Sequence, residues 1–345
     1  MAAKEGERSG VICAGAWCID HNTLIDHWPA EETVATVLST APQGGCPGHN
    51  MATALRRLGA EFPIEAIGLI GDDADGRQLL GICDDHRIDR RQLEVRAGVA
   101  TSSTRVMIAK PTGKRSFFYN PGAHAVQTPD GFDFSATRAR IVHLGLPGLH
   151  DILDAPWKGD PSGWVTILKA AKARGIQTNV ELVSIEPERI RAHATPMLPH
   201  LDTFIVNDLE AGAVAGLETV QDGVTNVAAC KQAAARILER SALWLVAIHF
   251  PGGAVLLTRD GQSIAHPSVN VPPSAVVSSN GAGDSFAAGL LFGIHEGWLL
   301  ERAVKLAHAS AAASLRSVET TGSVAPWQQC LALADAWGWR TLPPA

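Results

Sequence analysis

Short apolar runs alternate with longer amphipathic stretches along most of this chain. Such runs, without polar alternation, read as strands buried on both faces, as in a parallel sheet covered by helices. They predict strands over Gly10–Ala16, Ile64–Ile70, Ile141–Leu144, Gln177–Val183, Thr203–Val206, Leu243–His249 and Ala254–Thr258. The stretches between them predict helices over Gly48–Leu58, Ala74–Asp84, Trp164–Arg174, Asn226–Leu238, Asp284–His295 and Leu299–Ser314. The last of these carries an alanine-rich face that lets it pack close to a neighbour. Strand–helix alternation of this kind is the signature of an α/β fold.

Two segments break the alternation. Residues 21–43 and 100–121 contain period-2 stretches, among them Thr101–Ile108 and Lys114–Tyr119. Pro111-Thr112-Gly113 between the last two predicts the turn of a hairpin. Polar–apolar alternation suits a sheet with one wet face. As plain structure this is a surface hairpin; as a functional part it is a lid that keeps water from a reacting group. No repeat and no low-complexity linker divides the chain, so residues 1–345 are expected to form one domain with these segments inserted in it.

Composition narrows the class. Apolar residues make up 46% and charged residues 19%, as in an ordinary globular chain. A net charge of −6 and no Lys/Arg run argue against nucleic acid as the main partner. No apolar stretch is long enough for a membrane span. The start, Met1 to Arg8, is polar and lacks an apolar signal core, so the expected location is cytoplasmic. The 6 cysteines form no C-x-x-C pair, which fits reduced thiols and neither zinc nor a disulfide framework.

The chemistry concentrates in Ser278-Ser279-Asn280-Gly281-Ala282-Gly283-Asp284-Ser285. Small residues let the backbone turn tightly into an apolar helix. The first N–H groups of that helix have no carbonyl partner, and its dipole adds about half a positive charge. The mouth therefore accepts an anion, and phosphate is the usual occupant. Asp284 in the same mouth reads either as a helix cap or as a general base that activates a hydroxyl for phosphoryl transfer.

Two further motifs stand upstream. Gly44-Gly45-Cys46-Pro47-Gly48-His49-Asn50 leads into a helix, and Ile67-Gly68-Leu69-Ile70-Gly71-Asp72-Asp73-Ala74-Asp75-Gly76 closes a strand and opens another. With Gly281–Asp284, this order of motifs resembles the ribokinase-like (PfkB-type) carbohydrate kinase family over about residues 8 to 325. The resemblance implies a three-layer ribokinase-like fold: a central, mostly parallel sheet flanked by helices, with a small β lid. It also implies transfer of the γ-phosphoryl of ATP to a sugar, nucleoside or related hydroxyl, with magnesium. Asp284 then matches the catalytic base, and Gly281, Ala282 and Gly283 match the anion hole. Asp20, Gly45 and Asn50 match the substrate-binding elements. Asn207 and Glu210, in Asn207-Asp208-Leu209-Glu210, match the pair that orders magnesium and phosphate, which the resemblance implies is done through water. Gly253 and His308 fall on the nucleotide side, and Asn120-Pro121-Gly122-Ala123 resembles the lid-end sequence. Lid hairpins in this family often pair between subunits, so a homodimer is an expected partner state.

Each transfer has a physical basis. A polyol hydroxyl both donates and accepts, so its grip needs a carboxylate such as Asp20 and an amide such as Asn50. Magnesium takes oxygen ligands and keeps several waters, so a carboxylate and an amide suffice. Taken alone, Asn207/Glu210 reads more readily as a helix cap. Asp72/Asp73 also reads as a cap, and His49, His124, His249 and His308 as packed polar residues without metal spacing.

Four positions depart from the family's pattern. Ser278-Ser279 stand where Asp-Thr is usual; that aspartate helps form a potassium site, so weak or absent potassium dependence is expected. Cys46 stands over the second glycine of the Gly-Gly element. Ile248-His249-Phe250 replace Thr-Leu-Gly beside the ATP phosphates, and His308 stands where an Asn is common near the adenine. A sugar kinase is the leading expectation; a nucleoside kinase on the same fold and a sugar-binding pseudokinase are the alternatives. A Rossmann dehydrogenase lacks its G-x-G-x-x-G after the first strand, and no Walker A lysine motif is present.

Overall fold

The structure is a computed structural model that describes residues 8–342. In chain order its strands are β1 (Val11–Gly15), β2 (Cys18–Ile25), β3 (Val37–Gly45), β4 (Ile64–Gly71), β5 (Asp89–Arg96), β6 (Ser103–Ala109), β7 (Arg115–Asn120), β8 (Ile141–Gly145), β9 (Gln177–Val180), β10 (Thr203–Asn207), β11 (Val220–Gln221), β12 (Val224–Thr225), β13 (Leu245–Phe250), β14 (Gly253–Thr258) and β15 (Ser263–Pro267). The helices are α1 (Cys46–Arg57), α2 (Ala74–Asp85), α3 (Ala123–Val126), α4 (Asp151–Asp154), α5 (Gly163–Ala173), α6 (Pro187–Ala194), α7 (Asp208–Ala215), α8 (Val227–Glu239), α9 (Ala282–His295), α10 (Leu300–Ser314) and α11 (Trp327–Trp337).

The large sheet runs β15-β14-β13-β10-β9-β8-β1-β4-β5. From β13 to β5 every neighbouring pair is parallel, and β14 and β15 add an antiparallel edge. Its strands are buried on both faces, which is why they read as unbroken apolar runs. In β1, Val11 and Cys13 enter the core beneath α1, α9, α10 and α11. Ile12 and Ala14 enter the opposite core beneath α5, α7 and α8. The three-layer α/β arrangement is the expected one.

The alanine-rich face of α10 packs closely against α9. A Cβ placed on Gly289 would lie 2.8 Å from the Ala307 Cα, so only glycine permits that approach. Asp73 caps α2 by accepting from the Gly76 N–H at 2.8 Å, as its position before the helix suggests.

A second sheet, ordered β3-β2-β6-β7, stands beside the first and contains most of residues 21–43 and 100–121. β6 and β7 form the hairpin, turning at Pro111–Gly113. β5, β11, β12, β15, α3, α4, α6, α7 and α11 have no counterpart among the predicted elements. β5 is an edge strand with Arg and Glu side chains exposed along it, and that charge hides the strand pattern. No helix among the described residues is long and apolar enough to cross a membrane.

Candidate active site

Parallel strands end together on one side of the sheet, and in open α/β folds ligands bind there. On that side α9 begins, with Gly281 as its N-cap at φ 76°. A Cβ on Gly281 would sit 2.6 Å from Thr320, so the turn needs glycine twice over, for its conformation and for its space. The first intrahelical bond runs from the Ser285 N–H to the Gly281 carbonyl. The Ala282 N–H, expected in the anion hole, already donates to the Ser279 carbonyl at 3.4 Å, so the N–H groups of Gly283 and Asp284 are those this helix start leaves for an anion.

Asp20 lies on β2 opposite Gln43, next to the Cys18–Gly45 pair. A Cβ on Gly45 would fall 2.5 Å from the Asp20 Oδ2, so Gly45 is what makes room for the carboxylate. Burial pushes the Asp20 carboxyl up to about 6, and a hydrogen bond from Thr104 opposes that shift. Asp284 is pushed up well beyond the ordinary carboxylate range, first by burial and then by the neighbouring Glu181, with the Asn50 amide opposing.

Two neighbours orient the Asn50 amide. Its Oδ1 accepts from the Thr320 hydroxyl at 2.7 Å. The same oxygen lies 2.9 Å from His49 Nδ1, which must then carry the proton. Both lone pairs are occupied, so Asn50 offers only N–H donors on the Asp284 side. An ionised base requires that orientation, because the reverse would set an amide oxygen against a carboxylate. Burial holds His49 down to about 4, so the ring is neutral.

Glu181 was not among the expected residues. It follows β9, at the end of the apolar run predicted over Gln177–Val183. A lone acid at the mouth of a parallel strand is the signal that marks it. A buried polar chain crosses three strands toward it. Thr203 Oγ1 donates to Asn179 Oδ1 at 3.1 Å, and Asn179 Nδ2 donates to His143 Nδ1 at 2.8 Å. His143 therefore carries its proton on Nε2, which lies 3.2 Å from Glu181 Oε2, though not aligned for a hydrogen bond. Burial raises Glu181 to about 7 and holds His143 down to about 4.

Asn207 and Glu210 sit where β10 passes into α7, and they form a capping box. Asn207 Oδ1 accepts from the Glu210 N–H at 2.8 Å, and Glu210 Oε2 accepts from the Asn207 N–H at 3.1 Å. Glu210 Oε1 accepts from Ser184 at 3.0 Å, and burial raises the carboxyl to about 7. Glu210, Glu181 and Asp284 nevertheless line one cavity of about 100 Å³ with Asn207 and Gly283. No group of three or more His, Cys, Asp or Glu among the described residues forms a ready metal cage. The oxygen donors fit a hydrated magnesium ion, held through water.

A larger, mostly apolar cavity of about 490 Å³ lies on the other side of the anion loop, with Phe250, Phe286, His308 and Arg340 in its walls. His308 is buried, its ring meets Phe286 edge-on at 5.0 Å, and its Nε2 has no partner among the described residues. His249 lines both cavities and lies beside Gly283, whereas Ile248 is buried in the core. Of the replaced triplet, His249 and Phe250 face ligand space and Ile248 does not. Gly253 stays outside the cavity: its Cα faces the His266 carbonyl and Leu342.

The other departures also have a visible structure. Cys46 adopts φ 68°, a left-handed conformation natural to glycine, and its Sγ lies 2.8 Å from the Cys18 Sγ. Ser278 is buried, and its hydroxyl oxygen accepts from Arg115 Nη2 at 2.8 Å and from the Asn280 N–H at 3.0 Å.

The sequence profile of pfkB family carbohydrate kinases matches residues 10–328. A protein named 5-dehydro-2-deoxygluconokinase, from Geobacillus thermodenitrificans, is 23% identical over 305 residues, covering 88% of this chain and 86% of the relative. Fructokinase-1 of Oryza sativa subsp. japonica is 28% identical over 316 residues, covering 84% of this chain and 88% of the relative. The solved structure of Arabidopsis thaliana ribokinase complexed with ribose and ATP superposes with a TM-score of 0.77 at 20% identity, covering 95% of this chain and 99% of that one. This chain has the ribokinase fold and belongs to the pfkB family of carbohydrate kinases, phosphotransferases with an alcohol group as acceptor.

Proposed function

We propose that this carbohydrate kinase transfers the γ-phosphoryl group of ATP to a hydroxyl of a keto sugar or keto sugar acid. The observation that carries the reading is Asp284 in the first turn of α9. It shares that turn with the Gly283 N–H, and it adjoins Asn50. Asp284 takes the proton of the acceptor hydroxyl as its oxygen attacks the γ-phosphorus. The leaving ADP keeps the bridging oxygen, and the helix start holds the charge of the transferring group.

Asp20 accepts from sugar hydroxyls, and Asn50 donates to a sugar oxygen. Glu210 and Asn207 assist magnesium through water, and His308 and Phe250 wall the nucleotide. The acceptor class follows the names of the relatives, a fructokinase and a 5-dehydro-2-deoxygluconokinase. These favour a sugar over a nucleoside.

In this reading the chain is one kinase domain, and the smaller sheet is the lid over the sugar. The outer edges of the lid strands β3 and β7 have no strand partner among the described residues, and Trp28, Phe118, Val37 and Leu38 are exposed beside them. A second copy of this chain fits such an edge. Six unpaired thiols, most of them buried, suit a reducing cytoplasm. The test is ADP release from magnesium-ATP with fructose, 5-dehydro-2-deoxygluconate, ribose and adenosine as acceptors. Turnover on a ketose or keto acid at least tenfold above adenosine is expected. Turnover on adenosine alone would overturn the acceptor class.

A further inference from the structure

Two thiols stand beside the carboxylate of Asp20. Cys18 begins β2 and Cys46 begins α1, and the register of β2 on β3 sets Gly45 directly opposite Cys18. Cys46, the next residue, leaves the strand at φ 68°, and its Sγ meets the Cys18 Sγ at 2.8 Å. The Cys18 thiol in turn donates to Asp20 Oδ1 at 3.7 Å. Among the described residues no other two cysteine sulfurs lie within hydrogen-bond distance.

This pair suits a reversible bond better than a metal. Among the described residues no third His, Cys, Asp or Glu completes a cage with it. A disulfide holds its sulfurs about 2.05 Å apart, so a small movement along an existing contact closes it. The two thiols are unequal. Cys46 is partly exposed, whereas Cys18 is fully buried. Their hydrogen bond lifts the Cys18 thiol well above the ordinary range, and burial adds to the rise. The same bond works downward on Cys46, although burial and the neighbouring Asp20 leave it raised as well. Cys46 also opens a helix, where the dipole favours a thiolate. Cys46 is thus the sulfur placed to react first, and Cys18 the one placed to resolve it.

We propose that Cys18 and Cys46 are a site of reversible oxidation by a peroxide, and that their disulfide weakens the grip of the acceptor site. The Cys46 sulfur attacks one peroxide oxygen, the O–O bond breaks, and water leaves with the thiol proton. Cys46 is then a sulfenic acid. The Cys18 sulfur attacks the Cys46 sulfur, the S–O bond breaks, and a second water leaves with the Cys18 proton. One peroxide is reduced to two waters while two thiols are oxidised to one disulfide. The product carries no S–H, so Asp20 loses a donor. Disulfides that form transiently are the kind a reducing compartment allows. The effect on turnover rests on the kinase reading above; the bond itself does not.

The experiment treats the full chain with hydrogen peroxide as wild type, Cys46→Gly and Cys18→Ala, and thermal melts verify folding. In wild type the count of free thiols in denaturant should fall by two from 6. Peptide mass mapping should join Cys18 to Cys46, and dithiothreitol should restore every thiol. The fructose KM in ADP release should rise about 5–10-fold on oxidation, the loss expected of one hydrogen bond, and should return with the reductant. Neither variant should yield a joined peptide. Judged against its own untreated value, the fructose KM of Cys46→Gly should change less than twofold under peroxide. Retention of all the wild-type thiols, or a join between other cysteines, would overturn the proposal. So would an equal rise in KM in Cys46→Gly. A protein that releases no ADP with any acceptor would remove the kinase reading and with it the effect on turnover, while the thiol count and the peptide map would still decide the bond.

Discussion

The two ends of the site are built on opposite principles. At the proposed acceptor end, Asp20, Asn50, Glu181 and Asp284 each have particular neighbours, and the cavity that Asp284 shares with Glu181 and Glu210 is about 100 Å³. At the proposed nucleotide end a cavity of about 490 Å³ is walled largely by Phe250, Phe286 and valines, and among its polar groups the buried His308 Nε2 has no partner among the described residues. Charge buried in a small space is sensitive to every proton and hydrogen bond. An apolar wall recognises shape and tolerates exchange. Substitutions at the acceptor end should therefore cost orders of magnitude, and those at the nucleotide end single factors.

The largest effect belongs to Asp284→Asn. Removing the base is expected to lower kcat by about 10²–10⁴ while sugar binding stays near wild type. Pre-steady-state ADP formation together with sugar titration measures both. An Asn variant with wild-type kcat would move the base elsewhere and break the contrast at its strongest point.

Asp20→Asn comes next, with a rise of about 10–150-fold in sugar KM from the lost charged acceptor. Its pH dependence has a definite sign. Burial lifts the Asp20 carboxyl from 3.8 to about 6, so the accepting, ionised form is present above that value and is lost as pH falls through it. The wild-type kcat/KM should therefore fall below about pH 6, and Asp20→Asn should lack that limb. The same acidic limb in the variant would assign it to another group.

Thr320→Val sharpens the comparison, because Thr320 acts only through Asn50 and Gly281. Valine keeps the shape that backs Gly281 and removes the hydroxyl that fixes the Asn50 amide. A loss of about 5–10-fold in kcat/KM is expected, consistent with one buried hydrogen bond of about 1 kcal/mol. Thr320→Ser should recover it. Equal loss in Val and Ser would make the effect one of packing.

At the other end, His308→Leu should change the KM for ATP by no more than about fivefold, since the ring contributes one polar contact to an apolar wall. A loss of a hundredfold would mean that the unpartnered Nε2 carries base recognition, and the contrast between the ends would shrink.

The same division separates what the sequence discloses from what it conceals. The central strands were legible because burial on both faces leaves unbroken apolar runs, and Gly281–Asp284 because a tight turn into a helix needs small residues. The α9 start, Asp20 and Asn50 are consequently brought together where the motifs place them. β5 was concealed by the charges an edge strand carries. Glu181 was concealed because its meaning lies in the chain Thr203–Asn179–His143, whose members are near neighbours only across strands. Asn50 was legible as a site residue but not as a donor, since the Thr320 hydroxyl that saturates it is 270 positions away. Motif spacing reports local geometry, and partner choice across the sheet is not local.

The smallest expected effect is that of potassium. A monovalent cation beside the anion loop would need oxygen ligands with net negative character. At position 278 the side chain is a neutral hydroxyl whose oxygen is already filled by Arg115 and the Asn280 N–H. The guanidinium also brings a fixed positive charge to the loop, which repels a second cation there. Rates in potassium and in a size-mismatched cation such as lithium, at equal ionic strength, should therefore agree within twofold. Strong activation by potassium would mean that backbone carbonyls alone hold the ion and that Arg115 leaves Ser278 during turnover. In that case Ser278→Asp should strengthen the activation. If Arg115 stays on Ser278, the new carboxylate pairs with it instead, and potassium remains without effect.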